Sequence, residues 1–244
     1  MLLSEPSVRP FHRAQFLQIA AAPWLFLFLF ITVASSSSAP RRYFEFRNNF
    51  WMNLHHTLFR EAVVAKMTAE TRTKSGLTQL DNAGVSKPER QAWEDAVRFY
   101  SDSYAGERLL FDDQLVSINN LLGAEKDPGK LSGEGLPRAL VQCLKGAAPV
   151  YRAHWWPEHQ KTNMQFIVEM EPKVAELGPE VIPQLEHLFG MKWPVKPLPV
   201  EVTYYVAEVG GAYTTEHPGH TTVASGREDN HGPAGVETLF HEGA

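Results

Sequence analysis

The sequence predicts an α+β protein: a predominantly helical N-terminal region, then a small β segment, then the start of a further helix. Three observations carry this. Apolar residues recur at spacings of three and four from about residue 50 to residue 190. The texture changes at Trp193, where Pro194, Pro197 and Pro199 lead into Val200-Glu-Val-Thr-Tyr-Tyr-Val-Ala-Glu-Val209, a run rich in β-branched and aromatic residues. A polar stretch, Gly226 to Gly235, then precedes the apolar start of a helix at Val236. With 244 residues, 43% hydrophobic, the chain is large and apolar enough to bury a core.

Three regions follow: residues 1–36, 37–192 and 193–244. In the first, Arg9, His12 and Arg13 form a basic lead, and no charge occurs between Arg13 and Arg41. Within that gap lies Pro23-Trp-Leu-Phe-Leu-Phe-Leu-Phe-Ile-Thr-Val-Ala34, followed by Ser35 to Ser38. This reads as a secretory signal cleaved near Ser36. The competing reading is a membrane anchor over residues 16–34, about one bilayer span, interrupted by Gln18 and Pro23. Both readings export the rest of the chain, to a secreted or periplasmic location or to a membrane surface.

Residues 35–42 read as a linker. Asn48 or Asn49 is placed to cap a helix carrying Phe50, Trp51, Leu54, Leu58 and Ala62 on one face. Thr71 to Val85 reads as a loop. Ser86-Lys-Pro-Glu89 is a capping box, continued by Trp93, Ala96, Val97 and Tyr100. Leu109 to Leu122 suggests a third helix, Gly123 to Gly135 a break, and Leu136 to Leu144 a short fourth helix. Two more follow, Pro157 to Met170 and Pro179 to Phe189, the second closed by Gly190. Beyond the strand at 200–209, Gly210-Gly211 is a turn and His220 to Ser225 a second short strand.

Composition excludes several functions. The net charge is −5 and no basic run is interleaved with aromatics, which argues against a nucleic-acid partner. The single cysteine, Cys143, rules out an intrachain disulfide and a cysteine zinc site, and its apolar neighbours make it a packed side chain. No Walker loop, G-x-S-x-G elbow, S-x-x-K or dinucleotide fingerprint is present.

One motif carries chemistry. Val236-Glu-Thr-Leu-Phe-His-Glu-Gly-Ala244 ends on four of the five positions of H-E-x-x-H. Residues four apart share a helix face, so a His at position 245 would stand one turn from His241. The pair would hold a zinc ion, and Glu242 would act as general base on the metal's water. The last 45 or so residues resemble the gluzincin-type metallopeptidases, on the strand 200–209, Gly211-Ala-Tyr-Thr-Thr215 and Val236 to Ala244. The resemblance implies β-strands ahead of the motif helix, an edge strand along the substrate cleft, His241 as metal ligand and Glu242 as catalytic base. It also implies a second His and a Glu from a later helix, which have no counterpart here. The expectation is therefore the N-terminal portion of an exported peptidase-like protein acting on a peptide or protein substrate. Zinc is expected in the complete protein but not held tightly by this chain, which should lack activity.

Other histidines are weaker candidates. His217, His220 and His231, with Glu216 adjacent, offer a loop set that could complete a metal site. His55 and His56 point about 100° apart on a helix and cannot chelate together, so one is expected in the core and the other exposed. His154-Trp-Trp-Pro-Glu-His159 offers either a ligand platform or packing for the helical layer. Asp112-Asp113 and Glu94-Asp95 read as exposed helix turns. The alternative to a peptidase is a non-enzymatic exported helical protein that binds a partner through an aromatic surface.

Overall fold

A computed structural model describes residues 41–71, 84–109, 111–206, 211–215 and 219–244. The signal or anchor segment, most of the loop between Thr71 and Val85, and His217 lie outside these residues. In chain order the elements are β1 (Phe44–Arg47), α1 (Phe50–Thr71), α2 (Lys87–Ser103), α3 (Asp113–Ala124), α4 (Arg138–His154) and α5 (Trp156–Phe189). Then come β2 (Leu198–Thr203), β3 (Ala212–Thr215), β4 (His220–Ala224), a short 3-10 turn (Glu228–Asn230) and α6 (Gly232–Gly243). The fold is α+β, with helices making up its bulk.

The helix starts follow the local chemistry. Asn49 Oδ1 accepts the Trp51 and Met52 amides at 2.8 and 3.2 Å, which fixes the first turn of α1. The Glu89 carboxylate accepts the Ser86 amide at 2.9 Å, closing the box at α2. Asp112 caps α3 by accepting the Leu115 amide at 2.9 Å, so one of the two acidic residues read as plain surface has a structural task.

Two helix expectations need correction. The fourth helix runs on to His154 rather than stopping near Leu144, because Leu140, Leu144, Ala147 and Tyr151 continue the buried stripe past Gly146 and Pro149. The pair expected at 157–170 and 179–189 is one helix, α5, which contains Pro172, Pro179 and Pro183. Each internal proline deletes one ladder hydrogen bond. The buried stripe Phe166, Met170, Val174, Gly178 and Ile182 nevertheless repeats every fourth residue without interruption. Gly178 is required there, since a Cβ would lie 2.0 Å from the Tyr43 ring. Gly190 closes the helix in the left-handed region, φ 67°.

The strands form one mixed sheet in the order β1-β2-β4-β3. β1 and β2, and β2 and β4, run parallel; β3 pairs antiparallel with β4 at the edge. Strand β1 lies within the region expected to be helical; four residues with Phe44 and Phe46 alternating against Glu45 and Arg47 are too few to give a clear period. The strand expected at 200–209 instead spans Leu198–Thr203. Beyond it the Tyr204 amide donates to Asn53 Oδ1 at 2.9 Å, and the Tyr204 ring stacks on His159 with centroids 4.0 Å apart. Those contacts turn the chain toward α1 and α5.

Two apolar cores result. One fills the helical layer, joining Phe50, Leu54, Phe59, Tyr100, Leu115, Leu144 and Tyr151. The other lies under the sheet, where Phe44, Val200, Val202 and Val223 meet Phe166 and Met170 of α5 and Leu239 and Phe240 of α6. The second core takes β1 and α5 from the earlier part of the chain, so it spans both sides of Trp193.

Candidate active site at the end of the last helix

Helix α6 begins at Gly232, earlier than the expected Val236, with Pro233 in its first turn. The 3-10 turn before it is fastened to the sheet: Asn230 Nδ2 donates to Gly211 O and Ala224 O, each at 2.8 Å. Gly235 packs so closely on this turn that a Cβ would lie 1.8 Å from Asn230 O. Leu239 and Phe240 are buried, and the Phe240 ring meets Phe44 edge-on at 5.6 Å. These contacts hold α6 on the apolar face of the sheet.

The motif residues sit in the last turn of α6. His241 is exposed, and Glu242 is half-buried beside the antiparallel edge strand. Thr214 Oγ1 of β3 lies 2.7 Å from the Glu242 carbonyl and 3.1 Å from its Oε2. The same hydroxyl lies 3.0 Å from Thr221 Oγ1 on β4. The Glu242 carboxylate is therefore positioned against the sheet edge, while the imidazole of His241 points to solvent.

Of the remaining candidates, His220 and His231 do not join this site, and Glu216, like His217, lies outside the described residues. His231 Nδ1 lies 2.7 Å from Glu169 Oε2 and Nε2 lies 2.8 Å from Ser225 O, so both ring nitrogens are engaged. His220 opens strand β4 rather than lying in a loop, and its Nδ1 lies 2.9 Å from Thr215 Oγ1 on the opposite face of the sheet from α6. Among the described residues no group of three or more His, Cys, Asp or Glu is placed to hold a metal ion. Near the motif one imidazole and one carboxylate stand alone, so the residues present do not make up a catalytic zinc site, which needs three protein ligands.

The other face of the sheet is polar and buried. Pairing in register sets Arg47, Glu201, Thr222 and Tyr213 side by side across all four strands. This face meets α1 and α3: His56 Nε2 lies 3.1 Å from Tyr213 Oη, and a Cβ on Gly123 would lie 3.5 Å from Glu201 Oε1. Both Glu201 oxygens, Thr222 Oγ1, His56 Nδ1 and both amide atoms of Asn119 are buried and make no hydrogen bond among the described residues. Burial pushes the Glu201 carboxyl up to about 7, partly offset by Arg47 at 3.7 Å. The one signal for it in the sequence is a glutamate alternating with Val200 and Val202 inside the strand.

The paired histidines also differ from expectation. His55 and His56 are both buried, because α1 is covered on two sides. His55 Nδ1 lies 2.8 Å from Tyr100 Oη on α2, while His56 faces β3. Desolvation holds His55 neutral, with its pKa down at about 3, and lowers that of His56 too. His159 is buried, 2.8 Å from Tyr151 Oη, and lowered to about 3 by desolvation. Trp155 packs on Trp93 at 4.4 Å, and Trp156 meets Phe50 at 5.2 Å, so both tryptophans serve the helical layer. Cys143 is half-buried against the same layer, its thiol pushed up to about 12 by desolvation.

Among the described residues no helix is long and apolar enough to cross a membrane. No family model matches the chain, and no curated protein or solved structure is significantly similar to it.

Proposed function

We propose that this chain carries the leading part of a zinc-metallopeptidase-like hydrolase, exported through residues 1–36. One observation supports the reading above others. The helix bearing His241 and Glu242 is seated on a small mixed sheet beside its antiparallel edge strand, and Thr214 of that strand holds Glu242. The resemblance implies the same order of parts: strands first, then the motif helix, with an edge strand along the substrate cleft. In this reading His241 is a metal ligand, Glu242 is the general base, and a peptide or protein is the substrate. The ligand set is incomplete in these residues, so the 244-residue chain itself is assigned no hydrolytic step.

The alternative, a non-enzymatic protein with an aromatic binding surface, has less support, since Trp93, Trp155 and Trp156 pack against one another and the helical core. The discriminating experiment reads the coding sequence after codon 244 and measures zinc in the natural gene product. The proposal expects a His codon directly after Ala244, a later Glu, and about one zinc per chain that His241→Ala removes. A stop codon after Ala244 in an intact gene would defeat it.

A further inference from the structure

Away from α6 and the sheet, a cleft opens between α4 and the loop ahead of it. Lys145, Ala148, Pro149 and Arg152 lie three and four apart on α4, so they share one face of that helix. Lys130 and Leu131 of the loop stand opposite, and Trp51 of α1 joins the lining. The cleft has a volume of about 380 Å³, the size of a small-molecule site.

The loop is tied to its surroundings. Asn49 Nδ2 donates to Glu125 O at 2.7 Å, Trp51 Nε1 donates to Asp127 O at 2.9 Å, and Arg152 Nη2 donates to Pro128 O. Its own acids are engaged on its own amides. Asp127 Oδ1 accepts the Gly129 amide at 2.7 Å, and Glu125 Oε1 accepts the Ser132 amide at 3.0 Å. A cleft already formed in this way spares a ligand the cost of ordering it.

The lining is apolar with charges of one sign. Trp51, Leu131 and Ala148 are buried, and Pro149 extends the apolar wall. Lys130, Lys145 and Arg152 line the same cleft, and no acidic side chain does. Helix α4 contains no Asp or Glu in its 17 residues, although the chain carries a net charge of −5. Arg152 is also held in place, with its guanidinium carbon 4.0 Å from the centroid of the Phe50 ring. A planar guanidinium fixed by stacking suits the oxygens of a carboxylate or phosphate.

We propose that this cleft binds a small amphipathic organic anion, a carboxylate or phosphate carried on a compact apolar body. Lys130, Lys145 and Arg152 meet the head group, and Trp51, Leu131 and Pro149 meet the body. The site uses no residue of α6 or the sheet, so it stands independently of the hydrolase reading.

The test uses the full chain and anilinonaphthalene sulfonate, a dye whose emission rises in an apolar site. Phenylnaphthylamine, with the same rings and no charge, is the matched neutral probe. Lys130 and Lys145 are exposed, so Lys130→Glu with Lys145→Glu should leave the circular dichroism unchanged. The expected result is saturable binding of the sulfonate that this pair weakens by about tenfold or more, with the neutral probe unaffected. Lys192→Glu with Lys196→Glu makes the same change in net charge elsewhere and should alter the sulfonate affinity by less than about twofold. Naphthoate and naphthyl phosphate, added as competitors, distinguish the two head groups by which displaces the sulfonate at the lower concentration. Sulfonate binding that survives the Lys130 and Lys145 substitutions, or that the Lys192 and Lys196 substitutions weaken equally, would overturn the proposal. So would the absence of saturable binding, or a failure of both naphthyl anions to displace the dye.

Discussion

Glu201 lies buried between β1 and α3, with its carboxyl pushed up to about 7 by desolvation against an ordinary 4.5. A folded-state value above the unfolded one means that the fold prefers the protonated carboxyl. Its contribution is complete below about 4.5 and is lost as pH rises through 7. A displacement of this size corresponds to about 3 kcal/mol. Glu201→Gln should therefore raise the unfolding free energy read from urea denaturation at pH 8 by up to that amount and leave it almost unchanged at pH 4. An equal effect at both pH values would show that the carboxyl does not titrate with folding. The buried histidines act in the opposite window. His55 and His159 stay neutral in the fold, with values lowered to about 3, so their contribution is complete above 6.5 and falls as pH drops from 6.5 toward 3. His159→Gln keeps a polar partner for Tyr151 and should flatten this acid limb. An unchanged limb, followed by urea denaturation at several pH values, would contradict the assignment.

Among the elements, α5 is the most informative, since it binds both cores over a single long helix. Gly178→Ala would drive a methyl group into the Tyr43 ring and should cost about 1–3 kcal/mol, seen as a lowered thermal midpoint. No change would mean that α5 does not approach β1 so closely. This helix also marks the limit of what the sequence discloses. Its prolines read as breaks, and only its tertiary stripe at every fourth residue overrides them. The capping residues Asn49, Ser86-Glu89 and Gly190 were legible because they act within one turn. The strand at 220–224 was legible too, whereas β1 was too short to show a period. The end of β2 depends on Asn53, far away in sequence. At the candidate site, the helical setting of His241 and Glu242 was readable from the motif. Their neighbour Thr214 was not, nor was the packing of Leu239 and Phe240 with Phe44 and Val202. Glu201 and the burial of both His55 and His56 escaped because they follow from tertiary cover: α1 and α3 over the polar face of the sheet for Glu201 and His56, and α2 over α1 for His55.

At the level of the whole molecule, an apolar helical layer and an apolar sheet core enclose a polar seam. Asn53 and Asn163 are joined across it at 2.9 Å, and Asn53 Nδ2 donates to Val202 O at 3.0 Å. On export, expression of the intact gene should move the chain out of the cytoplasm, with a mature N-terminus near Ser36 if the segment is cleaved, or an intact Met1 in the membrane fraction if it is retained. An intact chain in the soluble cytoplasm would refute both forms. The reading of α6 as the motif helix of a peptidase is tested most directly by peptide hydrolysis with the natural gene product, comparing the native protein with Glu242→Gln at equal zinc content. Glu242→Gln should retain the metal and lose hydrolysis by at least about a hundredfold, as expected for removal of a general base. Hydrolysis that survives the substitution, or a native product that binds no zinc and cleaves no peptide, would contradict it.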